Sequence, residues 1–392
     1  MARRAAIFQD IAKNHKNVLH LDAGNMYGRR TDAARAQTEF LLDHVAKLDY
    51  PVLAVGQWDL NYGLDFLKQQ AAKHNFHYIS ANLKGGDSGK LLFDPYAVVK
   101  RGGLRIGLIS VIGPSYVITT MSAKVDKFVI DSPRDALEKY LPELRKKSDI
   151  IVLLSGASTR DTRELLTDLG TGSGIDICVE GADLRQYRRL NRVGDVYLVS
   201  ANPQGKYLGQ LDLQVTPKGV IQDAVLTLHE LGKQAPQIDA IQDDVDKFLK
   251  GNEKLSQNSK VTPHPDKGLK DEKYLGTLRC SNCHKEIFTK YQETAHAKAW
   301  QTLVAKGQTS NPDCVGCHVT GWDYYNGFDP TVSSNGRNTL FNVQCEACHG
   351  YGTMHARDGE WAAQAKKSCT HCHTPEFDPD FDYDTYWARI AH

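Results

Sequence analysis

Short apolar segments and amphipathic segments alternate through the first part of the chain. The apolar segments predict buried strands at Val18–Ala23, Pro51–Gly56, Phe76–Ser80, Ile150–Leu154 and Ile175–Val179. Apolar residues spaced three or four apart predict helices at Thr31–Leu48, Leu64–His74, Asp131–Lys147 and Arg160–Leu169. Strands that alternate with helices in this way are typical of a layered α/β domain.

The pattern changes in the later part of this region. The stretches Tyr197–Ser200, Leu208–Val215 and Ala224–Leu231 predict antiparallel strands. Residues 233–273 are polar, charged and interrupted by prolines. They predict a linker with one helix at Ile238–Lys250. The chain is therefore expected to consist of an α/β domain at residues 1–232, this linker, and a further domain at residues 274–392.

The composition bounds the class of protein. Of 392 residues, 41% are hydrophobic and 24% are charged, as in ordinary globular proteins, and the length predicts two or three domains. The chain has 48 basic and 47 acidic residues and a net charge of +1, which argues against a nucleic-acid-binding protein. The longest apolar runs fall far short of the roughly 18 residues of a membrane-spanning helix, so no membrane span is expected.

The cysteines are concentrated near the C-terminus. Of nine cysteines, all but Cys178 lie between Cys280 and Cys372. They form Cys-x-x-Cys pairs, each followed at once by histidine: Cys280, Cys283 and His284; Cys314, Cys317 and His318; Cys345, Cys348 and His349; Cys369, Cys372 and His373. Cys-x-x-Cys-His is the attachment sequence of c-type haem, in which both thiols bond to the haem and the histidine binds the iron. We therefore predict four covalently bound c-type haems.

Other kinds of site fit this repeat less well. Zinc knuckles seldom carry a histidine directly after every cysteine pair. A thioredoxin-like redox motif would occur once rather than four times. Disulfides are the third alternative, and they do not account for the histidine that follows each pair.

Each iron needs a second axial ligand unless its haem is open. The predicted distal ligands are three histidines outside the attachment sequences: His296, His355 and His392. Met354 is an alternative ligand to His355. His264, in the linker, is a weaker candidate, whereas His371 lies inside an attachment sequence and is expected to point to solvent.

Sequence spacing and the resemblance of this region to multihaem cytochromes together predict one pairing of these ligands. It assigns His296 to the haem of His349, His355 to the haem of His373, and His392 to the haem of His284. Three distal candidates serve four irons, so the haem of His318 is left open or takes a histidine from elsewhere. A six-coordinate iron carries electrons, whereas an open iron also binds small molecules.

Residues 274–392 resemble the tetrahaem cytochrome c family of the cytochrome c-554 type. The matching sequences are Thr294–Ala297, Cys314–Gly321, Cys345–Gly350, Gly352-x-x-His355 and the terminal Tyr386-x-x-x-Ile390-x-His392. The resemblance implies a mainly α-helical domain with little regular secondary structure. It also implies haems stacked in close pairs, electron transfer to redox partner proteins, and one iron that can lack a distal ligand.

Residues 2–230 resemble the calcineurin-like metallophosphoesterases, specifically the 5'-nucleotidase and SoxB group. The matching sequences are Leu21–Asn25, Ala54–Gly63, Ala81–Leu83, Leu104–Ile109, Ile175–Gly181 and Gly205–Gly209. The resemblance implies a layered α/β domain. In that family the domain binds two divalent metals through oxygen and nitrogen ligands.

The metal-binding positions of that family are largely replaced in this chain. Asn25 stands where the family has a ligand aspartate, and Gly56–Asp59 replaces its Gly-Asn-His-Glu/Asp sequence. Gly156 stands at a ligand histidine, and Gly181–Leu184 replaces Gly-His-Thr/Ser-His. The remaining acids are interpreted as scattered carboxylates rather than as a weak site for one ion: Asp22, Asp59 and Asp183. We expect no dinuclear metal centre and no phosphoesterase activity in this domain.

Covalent haem attachment requires export across a membrane. We therefore expect a periplasmic or extracellular protein, although the start at Met1–Arg4 has no signal-peptide core. The export signal is expected to be missing from this sequence.

Together these features predict an extracytoplasmic multihaem cytochrome that carries electrons to and from redox partner proteins. Its degenerate phosphoesterase-like domain would serve as a scaffold or docking unit, and its oligomeric state is left open. The alternative is a haem enzyme that acts on a small nitrogen or sulfur compound at an open iron. A third hypothesis, a phosphoesterase with attached haems, needs ligands that this sequence lacks.

Overall fold

The computed structural model of the chain contains two compact units. They are Met1–Gly28 with Thr38–Asp246, and Arg29–Gln37 with Lys247–His392. The structure describes residues 1–28, 32–113, 128–181, 190–201, 205–258, 272–309, 311–322, 324–329, 340–359, 369–373, 378 and 380–391.

Helices and strands alternate through residues 1–258. The helices described there are α1 (Ala2–Asn14), α2 (Asp32–Val45), α3 (Leu64–His74), α4 (Pro133–Lys147), α5 (Thr159–Leu169) and α6 (Asp239–Asn258). The strands are β1 (Leu53–Ala54), β2 (Tyr78–Ile79), β3 (Leu83–Gly85), β4 (Tyr96–Arg101), β5 (Leu104–Ile112), β6 (Phe128–Ile130), β7 (Ile150–Gly156), β8 (Ile177–Glu180), β9 (Asn191–Val193), β10 (Val196–Ser200), β11 (Tyr207–Val215) and β12 (Ile221–Glu230). The helix predicted in the linker is present as α6.

The main sheet has the strand order β4-β5-β7-β8-β10-β9. Its inner strands β5, β7, β8 and β10 run parallel, and the edge strands β4 and β9 are antiparallel to their neighbours. Strand β7 is buried along its whole length, with Ile151 and Leu153 in one apolar cluster and Val152 and Leu154 in another. Alternate residues of a strand face opposite sides, so β7 is covered on both faces, as parallel strands usually are.

Helix α4 begins where the sequence predicts. The Ser132 hydroxyl accepts a hydrogen bond from the backbone N–H of Asp135 at 3.3 Å. Pro133 lies in the first turn, where the N–H that proline lacks has no partner within the helix. The bounds predicted for α3 are also confirmed. Asn75, the residue that follows the helix, has a φ of 56°, which is the left-handed conformation common just after helix C-termini.

Two strand predictions need correction. Val18–Ala23 is not a strand. The Asp22 carbonyl oxygen accepts a hydrogen bond from Ala54 at 3.3 Å, and one such bond makes no ladder. Tyr197–Ser200 was predicted to be antiparallel, but β10 pairs in parallel with β8 and is antiparallel only to β9. Every residue of β10 is buried, as suits an inner strand. The predicted antiparallel pairing is confirmed for β11 and β12.

The second unit is mainly helical, as predicted. Its described helices are α7 (Thr277–Cys280), α8 (Lys285–Glu293), α9 (Ala299–Lys306), α10 (Pro312–His318), α11 (Cys345–His349), α12 (Thr353–Asp358) and α13 (Tyr383–Trp387). An isolated β-bridge joins Val319 and Phe341. Among the helices that the structure describes in either unit, none is long and apolar enough to cross a bilayer.

Candidate haem-binding site

The attachment sequences lie in helical turns. The first pair, Cys280 and Cys283, begins at the last residue of α7. The second pair lies in α10 and the third in α11: Cys314 and Cys317, and Cys345 and Cys348. The fourth pair, Cys369 and Cys372, begins in a 3-10 turn. At the fourth sequence the N–H of His373 donates to the carbonyl oxygen of Cys369 at 2.9 Å. Residues i, i+3 and i+4 of a helical turn share one face. The Cys-x-x-Cys-His spacing therefore presents two thiols and one imidazole together.

Two pairs of histidine rings lie at the spacing that a shared iron requires. The ring centroids of His284 and His355 are 5.9 Å apart, with planes at 25°. Those of His296 and His373 are 6.1 Å apart, with planes at 50°. Two imidazole nitrogens, each about 2 Å from a metal, put their ring centroids roughly 6 Å apart. Each pair joins an attachment histidine to a predicted distal histidine, so these donors fit a c-type haem.

Electrostatics around His296 suit a ligand. Burial, together with the neighbouring His373, lowers the pKa of His296. A lowered pKa keeps the imidazole neutral at physiological pH, and the neutral form is the one that binds a metal. The ring of His296 is therefore available as a nitrogen donor.

These ring pairs differ from the pairing predicted from sequence spacing. His355 faces His284 rather than His373, and His296 faces His373 rather than His349. Spacing was misleading because contacts between residues distant in the sequence set the positions of these rings. Two other candidates lie outside the described residues: His264 and His392.

The carboxylate of Glu346 connects the third attachment site to the first. Glu346 is 1% exposed. It accepts backbone hydrogen bonds from Leu275 at 2.9 Å, from Gly276 at 2.7 Å and from Gly352 at 2.7 Å. Gly276 precedes α7, and Gly352 precedes α12, which carries His355. Burial raises the pKa of Glu346, and the three backbone donors oppose that rise. The sequence analysis did not single out this residue, although its position between Cys345 and Cys348 was a signal.

The first and third attachment sites lie side by side. The hydroxyl of Thr277 is 3.5 Å from the sulfur of Cys345, and the backbone N–H of Thr277 donates to the side chain of Gln344 at 2.6 Å. The adjacent Cys345 thiol, together with burial, raises the pKa of Cys280. A cavity of about 290 Å³ next to these sites is lined by Thr277, Leu278, Phe288, Tyr291 and Gln344, among others. Groups attached at the two sites would therefore be close neighbours.

The histidine of the fourth attachment sequence is held on several sides. Its Nδ1 lies 2.6 Å from Oδ2 of Asp378. The other oxygen of Asp378 accepts a hydrogen bond from the hydroxyl of Tyr386 at 3.0 Å. The ring of Phe381 stacks on His373 with centroids 4.8 Å apart. None of these three neighbours was singled out from the sequence, where nothing but an excess of acids and aromatic residues marks the segment.

The histidine of the second attachment sequence has a different environment. Nδ1 of His318 lies 2.7 Å from the carbonyl oxygen of Ala299 and 3.2 Å from the hydroxyl of Thr302. This contact leaves Nε2 for a metal. In the part of the chain that the structure describes, no histidine ring stacks against His318. An apolar cluster in this region consists of Leu303, Val315, Val319, Phe328 and Leu340.

In the first unit, Asn25 uses its side-chain amide as a cross-link between loops. Its oxygen accepts a hydrogen bond from the backbone N–H of Trp58 at 3.0 Å. Its nitrogen donates to the carbonyl oxygen of Gly181 at 3.0 Å. The sequence resemblance places Asn25 where the phosphoesterase family has a ligand aspartate. A neutral amide engaged at both ends is a poorer metal ligand than the aspartate it replaces.

Asp59 is fully buried and binds two loops. Its oxygens accept backbone hydrogen bonds from Asn25 at 2.8 Å, Met26 at 2.8 Å, Tyr27 at 3.2 Å and Gly56 at 2.7 Å. Burial raises the pKa of Asp59 to about 7, against the effect of these donors. The oxygens are directed at the backbone, so the carboxylate acts as a structural acceptor.

The loops around this position approach one another closely. A Cβ atom added at Gly181 would lie 2.5 Å from the carbonyl oxygen of Ala23, and one at Gly156 would lie 3.3 Å from that of Val111. A histidine restored at Gly156 would therefore require its neighbours to move. Within the described ranges, no three His, Cys, Asp or Glu residues are grouped closely enough to hold a metal ion. Asp183 lies outside those ranges.

Sequence comparison assigns a class to the C-terminal region. Residues 279–350 match the model of the family described as cytochrome c554 and c-prime. Cytochrome c-554 of Nitrosomonas europaea is 36% identical over 110 residues, which cover 24% of this chain and 46% of that protein. The C-terminal region is thus similar to a cytochrome c554, as its attachment sequences predict.

The N-terminal region is similar to nucleotidases and related phosphoesterases. The 2',3'-cyclic-nucleotide 2'-phosphodiesterase/3'-nucleotidase of Yersinia enterocolitica is 35% identical over 115 residues, covering 27% of this chain and 18% of that protein. The chain thus spans under half the length of both curated relatives.

Solved structures establish the fold of this region. The sulfate thiohydrolase SoxB of Thermus thermophilus superposes with a TM-score of 0.57 at 18% identity, over 67% of this chain and 48% of that one. A 5'-nucleotidase precursor of the same species superposes with a TM-score of 0.53 at 20% identity, over 78% of this chain and 61% of that one. The predicted α/β metallophosphoesterase-like fold is confirmed. At these identities the likeness concerns the fold alone.

Proposed function

We propose that the chain is an extracytoplasmic multihaem c-type cytochrome that carries electrons through four covalently bound haems. The observation that carries this proposal is the spacing of two imidazole pairs, His284 with His355 at 5.9 Å and His296 with His373 at 6.1 Å. Two histidines on one iron give a six-coordinate centre suited to electron transfer. Haem supplies reversible one-electron chemistry, and the chain attaches, orients and separates the haems.

The arrangement of the attachment sites supports transfer between haems. Cys280 and Cys345 lie side by side, so the first and third haems would have adjacent edges. The cluster around Leu303 is small, and the porphyrin faces would supply much of the apolar surface that this unit buries. The unit would therefore fold with its haems rather than before them.

Mass spectrometry of the full chain, purified from a host that attaches c-type haem, tests the proposal. We expect a mass gain of roughly 2.4–2.5 kDa, as four thioether-linked haems require. Replacing Cys280 and Cys283 by alanine should remove one quarter of the gain. Because the haem is added after export, the loaded protein is expected in the periplasm or outside the cell, with redox proteins as partners. A gain that corresponds to three haems or fewer in the unmodified chain would contradict the proposal.

In this proposal the phosphoesterase-like unit is a scaffold or docking unit without a dinuclear metal centre. The support is that Asn25 and Asp59, which lie at positions where the family keeps its metal site, direct their polar atoms at the backbone. The chain should hydrolyse neither nucleotides nor simple phosphate esters, with or without manganese. Stoichiometric binding of two manganese ions in equilibrium dialysis, or manganese-dependent hydrolysis abolished by Asp22→Ala, would contradict this part of the proposal.

A second candidate function is a haem enzyme acting on a small nitrogen or sulfur compound. The environment of His318 favours it, because within the described residues no second histidine ring faces this one. Apolar side chains and the hydroxyl of Thr302 lie nearby instead. An acid or base that could serve such chemistry is not identified there, so electron transfer is the better supported function.

A further inference from the structure

The histidine of the fourth attachment sequence has a carboxylate as its ring neighbour. Nδ1 of His373 and Oδ2 of Asp378 are 2.6 Å apart, and the two side chains are 26% and 21% exposed. The hydroxyl of Tyr386 donates to the other oxygen of Asp378 at 3.0 Å. Phe381 covers one face of the ring. Asp378 is thus part of a fixed, partly buried environment for His373.

A metal on Nε2 places the proton of a neutral imidazole on Nδ1, so His373 would donate and Asp378 accept. Hydrogen bonds to a charged acceptor are stronger than those to a neutral one. The carboxylate draws the Nδ1 proton away from the ring and makes Nε2 a stronger electron donor. His318 offers an internal comparison, since its Nδ1 faces the neutral carbonyl oxygen of Ala299 at 2.7 Å.

The charge of the iron connects this hydrogen bond to the reduction potential. Fe(III) carries one more positive charge than Fe(II), so it is stabilised more by a strongly donating ligand and by a nearby negative charge. Hydrogen bonding to an axial ligand is one of the means by which proteins set haem potentials. A carboxylate at Nδ1 should therefore oppose reduction more than a carbonyl oxygen does.

We propose that Asp378 is a positioning residue that lowers the reduction potential of the fourth haem. The proposal rests on the proposed function, because it takes His373 as a ligand of iron. In the redox step one electron converts Fe(III) to Fe(II), no bond breaks, and the proton stays on Nδ1. The charge of Asp378 then makes the fourth haem harder to reduce than it would be beside a neutral acceptor.

A spectroelectrochemical titration of the haem-loaded full chain tests this role. Asp378→Asn keeps a hydrogen-bond acceptor but removes the charge. We expect the equilibrium constant for reduction to rise at least tenfold in one of the four one-electron steps, which raises its midpoint potential by about 59 mV. The midpoint potentials of the other three steps should not change. The step is assigned to the fourth haem by its loss when Cys369 and Cys372 are replaced by alanine. Asp384→Asn, at an exposed acid of α13, removes the same charge and should move no step by this amount.

Tyr386→Phe should have the opposite effect. Without the hydroxyl, the charge of Asp378 is no longer shared with Tyr386, and the hydrogen bond between Asp378 and His373 becomes stronger. The midpoint potential of the same step should therefore fall. Loss of packing alone would not move one step in opposite directions in two variants. No shift in either variant, or shifts of the same sign, would overturn the role of Asp378.

Two further measurements separate this inference from the proposed function. Mass spectrometry counts the haems in each variant, and electron paramagnetic resonance counts the low-spin irons in the unmodified chain. If the loss of the fourth haem in the Cys369 and Cys372 variant removes no low-spin signal, the fourth iron is not low-spin and the proposed function fails. If it is low-spin and the titrations show no opposite shifts, only the role of Asp378 fails. If Asp378→Asn loses a haem, the Tyr386→Phe variant alone tests the role of Asp378. A lower midpoint potential in that variant supports the role, and an unchanged or higher one refutes it.

Discussion

The carboxylate of Glu346 accepts a hydrogen bond from the backbone N–H of Gly276 at 2.7 Å, across a sequence separation of 70 residues. Through this contact and its bonds to Leu275 and Gly352, one buried acid connects the first attachment helix, the third attachment helix and the helix of His355. Removing the acid should therefore affect both the stability of the second unit and the coordination of its first haem.

Glu346→Gln should lower the free energy of unfolding of the second unit by about 2–3 kcal/mol. An amide has one accepting oxygen where three backbone donors need partners, and hydrogen bonds to charged groups contribute about 1.5–3 kcal/mol. Urea unfolding of the loaded chain, followed by circular dichroism in the haem bands, measures the loss. Glu286→Gln, at an exposed acid of α8, is the matched control, and equal unfolding midpoints for the two variants would refute the role given to Glu346.

His355→Ala should convert one low-spin haem to high-spin, because it removes a ring that lies 5.9 Å from the ring of His284. Electron paramagnetic resonance of the oxidised chain measures the change. His371→Ala is the control, and it should not change the number of low-spin haems. In a chain whose Cys280 and Cys283 are alanine, the first haem is missing and His355→Ala should add no high-spin signal. A high-spin signal in that background would assign His355 to another haem.

Carbon monoxide added to the reduced chain should bind at no more than one haem, that of His318. The imidazole pairs that include His284 and His373 leave no free position on their irons. Because His355 takes the place at the haem of His284 to which His392 was assigned from the sequence, we now propose His392 as the ligand of the haem of His349. Optical spectra taken during a titration with carbon monoxide give the stoichiometry. We also expect no turnover of nitrite, hydroxylamine or sulfur oxyanions. Rapid turnover of one of these, together with binding at one haem, would favour the enzyme over the carrier.

Asp59→Asn should destabilise the first unit by about 2–4 kcal/mol at pH 8. Burial raises the pKa of this carboxyl group to about 7, which is still below pH 8, so the group is mostly ionised at that pH. The new amide nitrogen would face backbone N–H groups that lose their acceptor, and buried donors left without a partner cost about 1–3 kcal/mol each. Thermal unfolding followed by far-ultraviolet circular dichroism measures the change. Asp195→Asn, at an exposed turn, is the control, and a loss no larger than that of the control would show that the four contacts contribute little.

The attachment residues were predictable from the sequence because their chemistry is local. Two thiols and an imidazole within five residues are sufficient to define the motif at Cys345–His349. The start of α4 was predictable for the same reason, since Ser132 and Pro133 act within one turn. The α/β fold followed from alternation and resemblance.

The pairing of the histidines was not predictable, because it depends on contacts between distant residues. Glu346 brings the helix of His355 to the first attachment site, and no local pattern reports that contact. Asp378 was missed because a carboxylate five residues after a histidine has no motif of its own. Val18–Ala23 was misassigned because an apolar stretch alone does not specify a hydrogen-bonded neighbour.

The adjacency of Cys280 and Cys345 has a consequence for biogenesis. Before either sulfur is alkylated, two neighbouring thiols in an oxidising compartment can be oxidised to a disulfide. Such a cross-link would block two attachment sites at once. Under the proposed function, the exported chain would therefore have to be kept reduced, or be modified at Cys280 before the segment of Cys345 packs against it. The apparatus that attaches the proposed haems would then act before this unit folds.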